Sequence, residues 1–384
     1  MTLTHAEYKT IANNIRPNGQ AFIDGKFCDA ADGAKFETTN PATGQILANV
    51  AHCKSADVDR AVAAARRVFN AGTWSRAEHE ERKEVLLKVA ALVRENAHEL
   101  AVLESLDTGK TINDCMDEIG GEVVNFFQWY AELADKSFGK IAPTGPSALA
   151  MIVKEPAGVA GAVLPWNFPL VMAAWKIAPS LAVGCSAVIK PAEQTPLSTI
   201  RLAELMQQAG VPDGVINILP GYGETAGKAI GMHNDIDTVS FTGSTEVGRM
   251  FMRYSGDSNL KGVGLEMGGK SPFIVLEDAI LDDELIEHAA MSAFWNGGQN
   301  CSANMRQLIA AHLVDEFTGR IIDRVKSFKL GDPLDPSTDI GSMITKDHKE
   351  MVMSYIQSGL AEGAGMLIGW DSDFPGHFIK PTVF

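Results

Sequence analysis

The chain has 384 residues, enough for two or three domains with a sizeable core, and its 46% hydrophobic and 21% charged residues are typical of a soluble globular protein. A formal net charge of −15 argues against nucleic acid or an anionic membrane surface as the main partner. Five cysteines without Cys-x-x-Cys spacing predict neither a disulfide framework nor a metal site, and the lack of a secretory signal predicts a cytoplasmic protein.

The first part of the chain predicts short strands and turns, followed by helices that pack against one another. The strands and turns are expected between residues 18 and 50. Ser55 is predicted to cap an amphipathic helix, and Ser75 to open a longer one. Further helical stretches are expected at Leu100–Leu106 and Val123–Leu133. These helices carry no evident chemistry, and we interpret their acidic residues as solvated faces.

The middle of the chain begins with an exposed strand or arm at Ser147–Lys154, which offers an edge for a partner. Strands then alternate with helices, and this alternation predicts a parallel sheet that is covered on both faces. The strands are expected at Val159–Leu164, Ala187–Ile189, Val215–Leu219 and Thr238–Phe241, and the helices at Val171–Val183, Thr199–Ala209 and Thr245–Tyr254. The apolar run from Pro156 to Ile189 is not interpreted as a membrane span, because prolines interrupt it.

A second alternation of strands and helices is predicted in the last part of the chain. Its strands are expected at Pro272–Leu276 and Gln307–Val314, and its helices at Asp282–Trp295, Glu316–Phe328 and Lys346–Ala361. The sequence contains no internal repeat and no low-complexity segment. The whole chain is therefore predicted to be an α/β protein.

Unusual residues follow the predicted strands of the middle region, at the edge where a parallel sheet binds its ligands. They are Asn167, Lys190 with Glu193, Gly223, and Gly243 with Ser244. Gly243 and Ser244 can offer N–H groups to a phosphate, although an ordinary helix cap is the more frequent explanation of that motif. A carboxylate such as Glu193 accepts hydrogen bonds from a ribose 2′-hydroxyl and repels a 2′-phosphate, which favours NAD over NADP. The alternative is a surface Lys190–Glu193 ion pair.

Cys301 lies between small and amide residues, just after an apolar run and a Gly-Gly break. One interpretation is a buried structural cysteine, because free cysteines are among the most buried residues. The other is a nucleophilic thiolate, with the amides of Gln299 and Asn300 close to a developing oxyanion. Glu266 lies in another glycine-rich break, and its carboxylate could face the thiol across one cleft. The second interpretation is favoured by this pairing of a base with a nucleophile.

Five short motifs, in order along the chain, resemble the NAD(P)-dependent aldehyde dehydrogenase superfamily. They are Pro165–Pro169, Lys190–Glu193, Phe241–Thr245, Leu265–Lys270 and Gly298–Cys301. The resemblance extends from Phe22 to Phe384. It implies a Rossmann-like NAD-binding domain at 1–136 and 156–267, an oligomerisation β-arm at 137–155 and a second α/β catalytic domain at 268–384, incomplete at its C-terminus.

The resemblance also implies roles for individual residues. Cys301 is expected to be the nucleophile, Glu266 the general base and Asn167 the oxyanion-hole amide, with Lys176 close to the active site. The expected cofactor contacts are Trp166, Lys190, Glu193, Gly223, Gly243, Ser244, Gly248 and Met267. The expected walls of the substrate tunnel are Phe168, Met172, Trp175, Trp295 and Asn300. Aromatic residues in such runs are often plain core residues, and this alternative stays open for the walls.

The implied reaction is the NAD-dependent oxidation of an aldehyde to a carboxylic acid, through a thiohemiacetal and a thioester on Cys301. The stretches Phe22–Phe27, Tyr254–Lys261 and Phe294–Cys301 look most like enzymes that oxidise aminoaldehydes of the γ-aminobutyraldehyde type. One alternative is a thiol hydrolase or acyl transferase without a redox cofactor. The other is a catalytically impaired family member that binds only nucleotide.

Members of the superfamily are longer than this chain, which stops at Phe384. Their next segment carries a glutamate that holds the nicotinamide ribose, and later a strand that pairs with the arm of a partner subunit. We therefore expect either part of a longer protein or a truncated form. A full-length protein with the arm at Ser147–Lys154 is expected to form a homodimer or homotetramer.

Overall fold

The computed structural model describes residues 3–370 and 376–384. Its strands are β1 (Ala21–Ile23), β2 (Lys26–Cys28), β3 (Lys35–Thr39), β4 (Ile46–Ala51), β5 (Lys140–Ala142), β6 (Ala150–Ile152), β7 (Val159–Val163), β8 (Ser186–Lys190), β9 (Ile216–Ile218), β10 (Thr238–Gly243), β11 (Gly262–Met267), β12 (Pro272–Val275), β13 (Arg306–Ile309), β14 (Ile368–Trp370) and β15 (Lys380–Val383). Its helices are α1 (His5–Asn14), α2 (Ser55–Ala71), α3 (His79–Glu95), α4 (Ala97–Thr108), α5 (Ile112–Asp117), α6 (Val124–Leu133), α7 (Pro169–Ala182), α8 (Leu197–Ala209), α9 (Lys228–Met232), α10 (Thr245–Gly256), α11 (Asp283–Phe294), α12 (Val314–Lys326) and α13 (Lys346–Ala361). Short π or 3₁₀ turns lie at Glu118–Val123, Gly223–Gly227, Trp295–Gly298 and Ala311–Leu313.

The centre of the fold is a seven-stranded sheet with the strand order β11-β10-β7-β8-β9-β1-β2. The strands from β7 to β11 are parallel, whereas β1 runs antiparallel to both β9 and β2. Every residue of β7 and β8 is buried, as expected for central parallel strands that helices cover on both faces. The predicted α/β architecture is confirmed.

The strand order creates a crevice at the carboxyl edge of this sheet. From β7 the chain moves outward to β8 and β9, then crosses back to place β10 on the other side of β7. Such a reversal leaves a gap between the ends of the two strands beside it, where ligands bind in α/β folds. The segment after Val163 and the segment after Gly243 therefore line one crevice.

A layer of helices covers one face of the sheet, and it corrects the interpretation of the acidic residues there. Helix α4 contacts α1, α5 and α8, so that it is enclosed on several sides. Glu104, Asp107 and Glu118 are each at most 1% exposed. The solvated face that the sequence predicted is therefore wrong at Glu104, because neighbouring helices cover polar as well as apolar sides of α4.

The last part of the chain forms a smaller α/β unit. Strands β12 and β13 are parallel, and α11 packs against α12. The buried side chains of Phe317, Ile321 and Val325 form one stripe of α12 and lie in the same apolar cluster as Val275 of β12. Their spacing places them on one face of the helix. This face holds the helix against the strands that flank the Cys301 loop.

An exposed antiparallel hairpin formed by β5 and β6 lies between these regions. Ile141, Leu149 and Met151 are 64–73% exposed. The prediction of an exposed strand within Ser147–Lys154 is thus confirmed, although its regular part is confined to β6. Large apolar side chains in such a position are typical of a surface that meets another protein.

Two helix starts differ from the sequence prediction. Ser55 is the first residue of α2, and the cap is Lys54, whose N–H donates to the Asp57 carboxylate at 2.9 Å. Ser75 does not open a helix, because its hydroxyl donates to the carbonyl of Phe69 at 2.7 Å and so closes the end of α2. Helix α3 begins later, at His79.

The predicted strand at Gln307–Val314 is too long. Strand β13 ends at Ile309, and a 3₁₀ turn at Ala311–Leu313 leads directly into α12. The sequence analysis also did not predict β11, which pairs with β10 along its whole length. Two glycines in its short run weaken the strand signal there.

The apolar run from Pro156 to Ile189 folds into β7, α7 and most of β8. Within residues 3–370 and 376–384, no helix combines the length and the apolar character needed to cross a membrane. In the same part of the chain, no group of three or more histidine, cysteine, aspartate or glutamate side chains is arranged to hold a metal ion.

Candidate active site

A turn with unusual backbone geometry presents Cys301. Helix α11 ends at Phe294, and then Asn296, Gly297 and Gly298 adopt positive φ values of 52°, 63° and 78°. Three successive left-handed residues stop a helix, and two of them are glycines, which tolerate this region best. The thiol of Cys301 is exposed and not in a disulfide. The interpretation as a buried structural cysteine is therefore wrong.

The side-chain amides of Gln299 and Asn300, beside Cys301, make hydrogen bonds within the protein. The Gln299 side chain is 7% exposed, donates to the carbonyl of Asn296 and accepts from the N–H of Ile344 at 2.9 Å. The Oδ1 of Asn300 accepts from the N–H and the hydroxyl of Ser302. The expectation that the Gln299 amide meets an oxyanion is wrong, because its buried polar atoms are already bonded within the protein.

Asn167 lies beside this loop, in the segment between β7 and α7. Its Nδ2 donates to the carbonyl of Gln299 at 2.9 Å. In return the Nδ2 of Asn296 donates to the carbonyl of Asn167 at 3.2 Å. The amide predicted for the oxyanion hole is therefore bonded to the residue two positions before Cys301. A side-chain amide has two N–H donors, so one bond to Gln299 leaves a second donor for a ligand.

Glu266 comes from the opposite side, on the edge strand of the sheet. It pairs in register with Thr242 of β10 and its side chain is exposed. A Cβ placed on Gly269 would lie 3.4 Å from the carbonyl oxygen of Cys301, so the chain after β11 runs directly against the Cys301 loop. The sequence analysis placed Glu266 at a glycine-rich break; the structure places it on β11, with the break following it.

Lys176 is a buried cation on α7, and its Nζ donates to the hydroxyl of Ser240 at 2.8 Å. Burial lowers the pKa of Lys176 to about 8, and the negative charge of Glu266 opposes this shift. The two side chains are thus electrostatically coupled. A lysine with a pKa near neutrality exchanges protons readily, which fits a place beside a general base.

The predicted ribose contacts lie at the end of β8. Lys190 is 2% exposed, and its Nζ donates to the carbonyls of Pro191 and Gly221 and to the Glu193 carboxylate at 3.1 Å. The alternative of a surface ion pair is wrong, because the lysine is enclosed by the sheet. Glu193 is half-buried, and the buried Lys190 holds its carboxylate in place. This arrangement fits a ligand hydroxyl.

The end of β10 fits the phosphates of a dinucleotide. The hydroxyl of Ser244 caps α10 by accepting from the N–H of Val247 at 3.2 Å, so the predicted cap is present at the start of a twelve-residue helix. The hydroxyl of Thr242 is buried without a hydrogen-bond partner, and the sequence analysis did not single it out. A Cβ on Gly248 would lie 2.7 Å from the sulfur of Met267, so these two predicted contacts adjoin.

The family model that describes the aldehyde dehydrogenase family matches residues 27–384 of this chain. The chain belongs to the aldehyde dehydrogenase family. It is 47% identical over 381 residues to the aminoacetaldehyde dehydrogenase of Pseudomonas aeruginosa, covering 99% of this chain and 77% of that protein. It is 43% identical over 386 residues to the NADP/NAD-dependent aldehyde dehydrogenase PuuC of Escherichia coli K12, covering 100% of this chain and 78% of the relative.

A solved structure of another aldehyde dehydrogenase has the same fold. The indole-3-acetaldehyde dehydrogenase AldA of P. syringae, in complex with NAD⁺ and IAA, superposes with a TM-score of 0.97 and 41% sequence identity. The match covers 99% of this chain and 78% of that chain. The resemblance that the five motifs carry is therefore confirmed for the family and for the fold.

The aromatic residues predicted as walls of this aldehyde dehydrogenase fall into two groups. The ring of buried Phe168 lies 5.2 Å from that of Trp295, centroid to centroid. Half-exposed Trp175 lies 5.2 Å from Phe126, which the sequence analysis assigned to packing only. Met172 is buried on α7. The rings of Phe126 and Trp175 thus form a contact between α6 and α7.

Trp166 of the dehydrogenase contacts a residue far along the chain. Its ring centroid lies 5.0 Å from that of His348 on α13. Burial lowers the pKa of His348, which favours the neutral form of the ring. The sequence analysis did not predict this contact, because nothing in the local pattern links the two residues. The contact between Trp166 and His348 joins the smaller α/β unit to the crevice.

A cavity of about 610 Å³ lies behind the Cys301 loop of the dehydrogenase. Apolar side chains such as Phe317, Tyr355 and Phe384 line it, together with Gly297 and Gln299. Neither Cys301 nor Glu266 is among its lining residues. The cavity therefore borders the inner side of the loop and does not hold the reacting groups.

Replacing Lys176 with methionine is expected to change the stability of the dehydrogenase in a pH-dependent way. The folded protein disfavours the charged lysine, whose pKa is lowered from 10.5 to about 8. Between these values the unfolded chain binds more protons, so wild-type stability rises with pH. From pH 7 to pH 10.5, the wild type should gain about 3 kcal/mol in unfolding free energy relative to Lys176→Met.

Denaturant unfolding at the two pH values measures this difference for Lys176→Met. The exposed Lys228 provides a control, and Lys228→Met should track the wild type at both pH values. If the stability difference between Lys176→Met and the wild type is the same at pH 7 and at pH 10.5, burial does not disfavour the charged form of Lys176.

Proposed function

We propose that this aldehyde dehydrogenase uses NAD to oxidise an aldehyde to a carboxylic acid through a covalent intermediate on Cys301. One observation carries the proposal. The exposed thiol lies on a loop that Asn167 holds from one side and that the chain after Glu266 borders from the other. A nucleophile, an amide donor and the chain that follows a carboxylate, from three separate elements, thus adjoin at the carboxyl edge of the sheet.

The first chemical step forms a bond between the Cys301 sulfur and the aldehyde carbon. The carbonyl oxygen becomes an oxyanion, and the second N–H of the Asn167 amide donates to it, together with the backbone N–H of Cys301. The bond from Asn167 to Gln299 fixes the direction of the amide before the substrate arrives. Such preorganised donors lower the barrier because they need no reorientation during the reaction.

The oxidation step needs an acceptor for the hydride of the thiohemiacetal carbon, and bound NAD supplies it. The residues that would hold this cofactor are Lys190, Glu193, Thr242 and Ser244, together with the N-terminus of α10. The fixed carboxylate of Glu193 fits a ribose with free hydroxyls, which supports NAD over NADP. The crevice at the switch point between β7 and β10, beside the Asn167 segment, would hold the dinucleotide.

The last step cleaves the thioester with water and restores the thiol. Glu266 takes a proton from the water, which then adds to the acyl carbon and releases the carboxylic acid. Lys176 is coupled to Glu266 and has a pKa of about 8. The exposed side chain of Glu266 then releases the proton to solvent and returns to its basic form.

The substrate that we propose is an aminoaldehyde of the γ-aminobutyraldehyde type. The support is the similarity to the aminoacetaldehyde dehydrogenase of P. aeruginosa, at 47% identity over 99% of this chain. A protein of formal net charge −15 also attracts a cationic substrate. The cytoplasm, where thiols stay reduced, suits a mechanism that depends on a free cysteine.

The test is NADH formation with a panel of aldehydes. Aminoaldehydes should be oxidised with a higher kcat/KM than neutral aldehydes of the same chain length, and NAD should be preferred to NADP. A preparation that makes no NADH from any aldehyde would contradict the proposed reaction. Equal kcat/KM values for the amino and neutral compounds would leave the reaction in place and contradict the proposed substrate.

Replacing Asn167 with alanine is expected to lower kcat by about 100- to 1,000-fold, because one oxyanion donor is lost. Asn167→Asp is the isosteric comparison, since it keeps the size of the side chain but removes both N–H donors. Both variants should retain most of their affinity for NAD, measured by fluorescence titration. A wild-type kcat in Asn167→Asp would exclude the amide as an oxyanion donor.

We also propose that the hairpin of β5 and β6 joins two or more copies of the chain. Its exposed apolar residues and its unpaired strand edges support this role. The predicted homodimer or homotetramer can be tested by sedimentation of the wild type and of Met151→Lys. A monomeric wild type at micromolar concentration would contradict the proposal.

A further inference from the structure

A buried cluster of charges lies in the helical layer, and the proposed mechanism does not use it. Its members are Glu104 of α4, Lys110 of the following turn and Glu118 of the π turn, each at most 1% exposed. The Nζ of Lys110 donates to the Glu118 carboxylate at 2.5 Å and lies 3.9 Å from that of Glu104. Apolar side chains of similar volume often give a protein the same stability as a buried charge cluster. The role of this cluster therefore depends on what it contacts.

The first set of contacts reaches the segment that carries Asn167. The carboxylate of Glu104 accepts from the N–H of Leu170 at 3.1 Å, in the first turn of α7. The Nζ of Lys110 lies 4.1 Å from the centroid of the Phe168 ring. The Glu104 contact holds the backbone at Leu170, three positions after Asn167. The Lys110 contact holds the side chain of Phe168, the residue directly after Asn167. Together they limit how the Asn167 segment can shift.

The second set of contacts reaches the loop of Cys301. Burial raises the pKa of Asp114 on α5, four residues after Lys110, and the backbone N–H of Asn296 is among the groups that oppose this rise. The ring of Phe168 packs on Trp295. Asn296 is a non-glycine residue with a positive φ of 52°, and such a residue needs support from its surroundings. Through Phe168 and Trp295, Lys110 therefore also reaches the residue before Asn296.

The charge state of the cluster suits this role. Burial raises the pKa of Glu118, and the positive charge of Lys110 opposes this rise. Burial opposes the positive charge of Lys110, but Glu118 and Glu104 outweigh it and raise the pKa of the lysine. Lys110 thus remains a cation near neutral pH. A cation over the face of an aromatic ring is attracted to it, which keeps the Phe168 ring in one place.

We propose that Glu104, Lys110 and Glu118 are positioning residues, which hold the Asn167 segment and the Cys301 loop in register so that amide and thiol act on one carbonyl. The inference rests on the proposed function of Asn167 and Cys301. Its physical basis is the steep dependence of rate on geometry: a displacement of about 1 Å at a reacting group can lower the rate about 100-fold.

Asp107 offers a matched comparison on the same helix. It lies one turn after Glu104, is 1% exposed and accepts from the N–H of Leu197 at 2.9 Å, at the start of α8. Its other hydrogen bond is to the hydroxyl of Thr38. Asp107 thus caps a helix as Glu104 does, but neither of these bonds reaches the Asn167 segment or the Cys301 loop.

The experiment compares Glu104→Ala with Asp107→Ala in the full chain, with Lys110→Met as a second cluster variant. We measure Tm, kcat and KM for NADH formation, and the rate at which iodoacetamide alkylates Cys301 without substrate, followed by mass spectrometry. All variants should lower Tm. Glu104→Ala and Lys110→Met should also lower kcat by about 10- to 100-fold with the KM for NAD unchanged, and should change the alkylation rate several-fold. Asp107→Ala should leave kcat and alkylation as in the wild type.

Two results would overturn the inference. One is equal kcat and alkylation losses in Asp107→Ala and the cluster variants, which would indicate general destabilisation. The other is wild-type kcat and alkylation in folded Glu104→Ala or Lys110→Met. If Glu104→Ala does not fold, the comparison of Lys110→Met with Asp107→Ala tests the inference. If the wild type makes no NADH, the proposed function fails, and the alkylation comparison still decides whether the cluster positions the loop.

Discussion

Cys301→Ala should form NADH at a rate lower than that of the wild type by on the order of 10⁴-fold or more, because removing a covalent nucleophile leaves only binding and electrostatic assistance. The thiol is the exposed end of a loop that two neighbouring segments border. The variant should keep the affinity for NAD, since the proposed cofactor contacts lie on β8, β10 and α10. Steady-state absorbance of NADH and fluorescence titration of NAD measure the two effects.

Cys28→Ala is the matched control for this prediction. Cys28 is also a free thiol and is only half-buried, but it lies on β2, at the far edge of the sheet. Its replacement should leave kcat within about twofold, as for a side chain remote from the chemistry. Substantial NADH formation by Cys301→Ala, or a comparable loss in Cys28→Ala, would contradict the assignment of the nucleophile.

The second large effect is expected for Glu266→Gln, which should separate the two halves of the reaction. The amide cannot accept a proton from water, so cleavage of the thioester should slow by about 100- to 10,000-fold. Attack by the thiol and oxidation do not require this water. Rapid mixing should therefore show a burst of NADH close to one equivalent per site, followed by slow turnover.

Hydroxylamine provides an independent check, because it is a nucleophile that cleaves thioesters without a general base. Adding it should restore turnover of Glu266→Gln and yield a hydroxamate. Glu277→Gln, at an exposed carboxylate after β12, should behave as the wild type. Absence of a burst in Glu266→Gln would place the role of the carboxylate before oxidation, and wild-type turnover would remove it from the mechanism.

Local patterns predicted the central part of the fold well. The apolar strands that lead to Asn167, Lys190 and Gly243 indicated a parallel sheet, and β7, β8 and β10 are parallel in the structure. Because side chains at the carboxyl ends of parallel strands share one edge, the position of these residues followed without knowledge of the strand order. The division into domains at 137–155 and at 268 stays a prediction, as do the roles of the individual residues.

What the sequence could not predict depends on contacts between distant residues. Gln299 looked like a free donor beside Cys301, but the N–H of Ile344 and the carbonyl of Ser342 bind its amide. Glu104 resembled part of a solvated helix face, and only the packing of α1, α5 and α8 around α4 buries it. Local periodicity carries no information on such pairings.

The left-handed run at Asn296, Gly297 and Gly298 has a consequence for how the protein tolerates genetic change. A residue with a Cβ in this conformation is disfavoured by roughly 1–2 kcal/mol, so substitutions at Gly297 or Gly298 would favour a right-handed continuation of α11. The helix would then extend toward Cys301 and carry the thiol away from Asn167. Inactive variants can therefore arise at positions with no reacting group, while every proposed catalytic side chain stays the same.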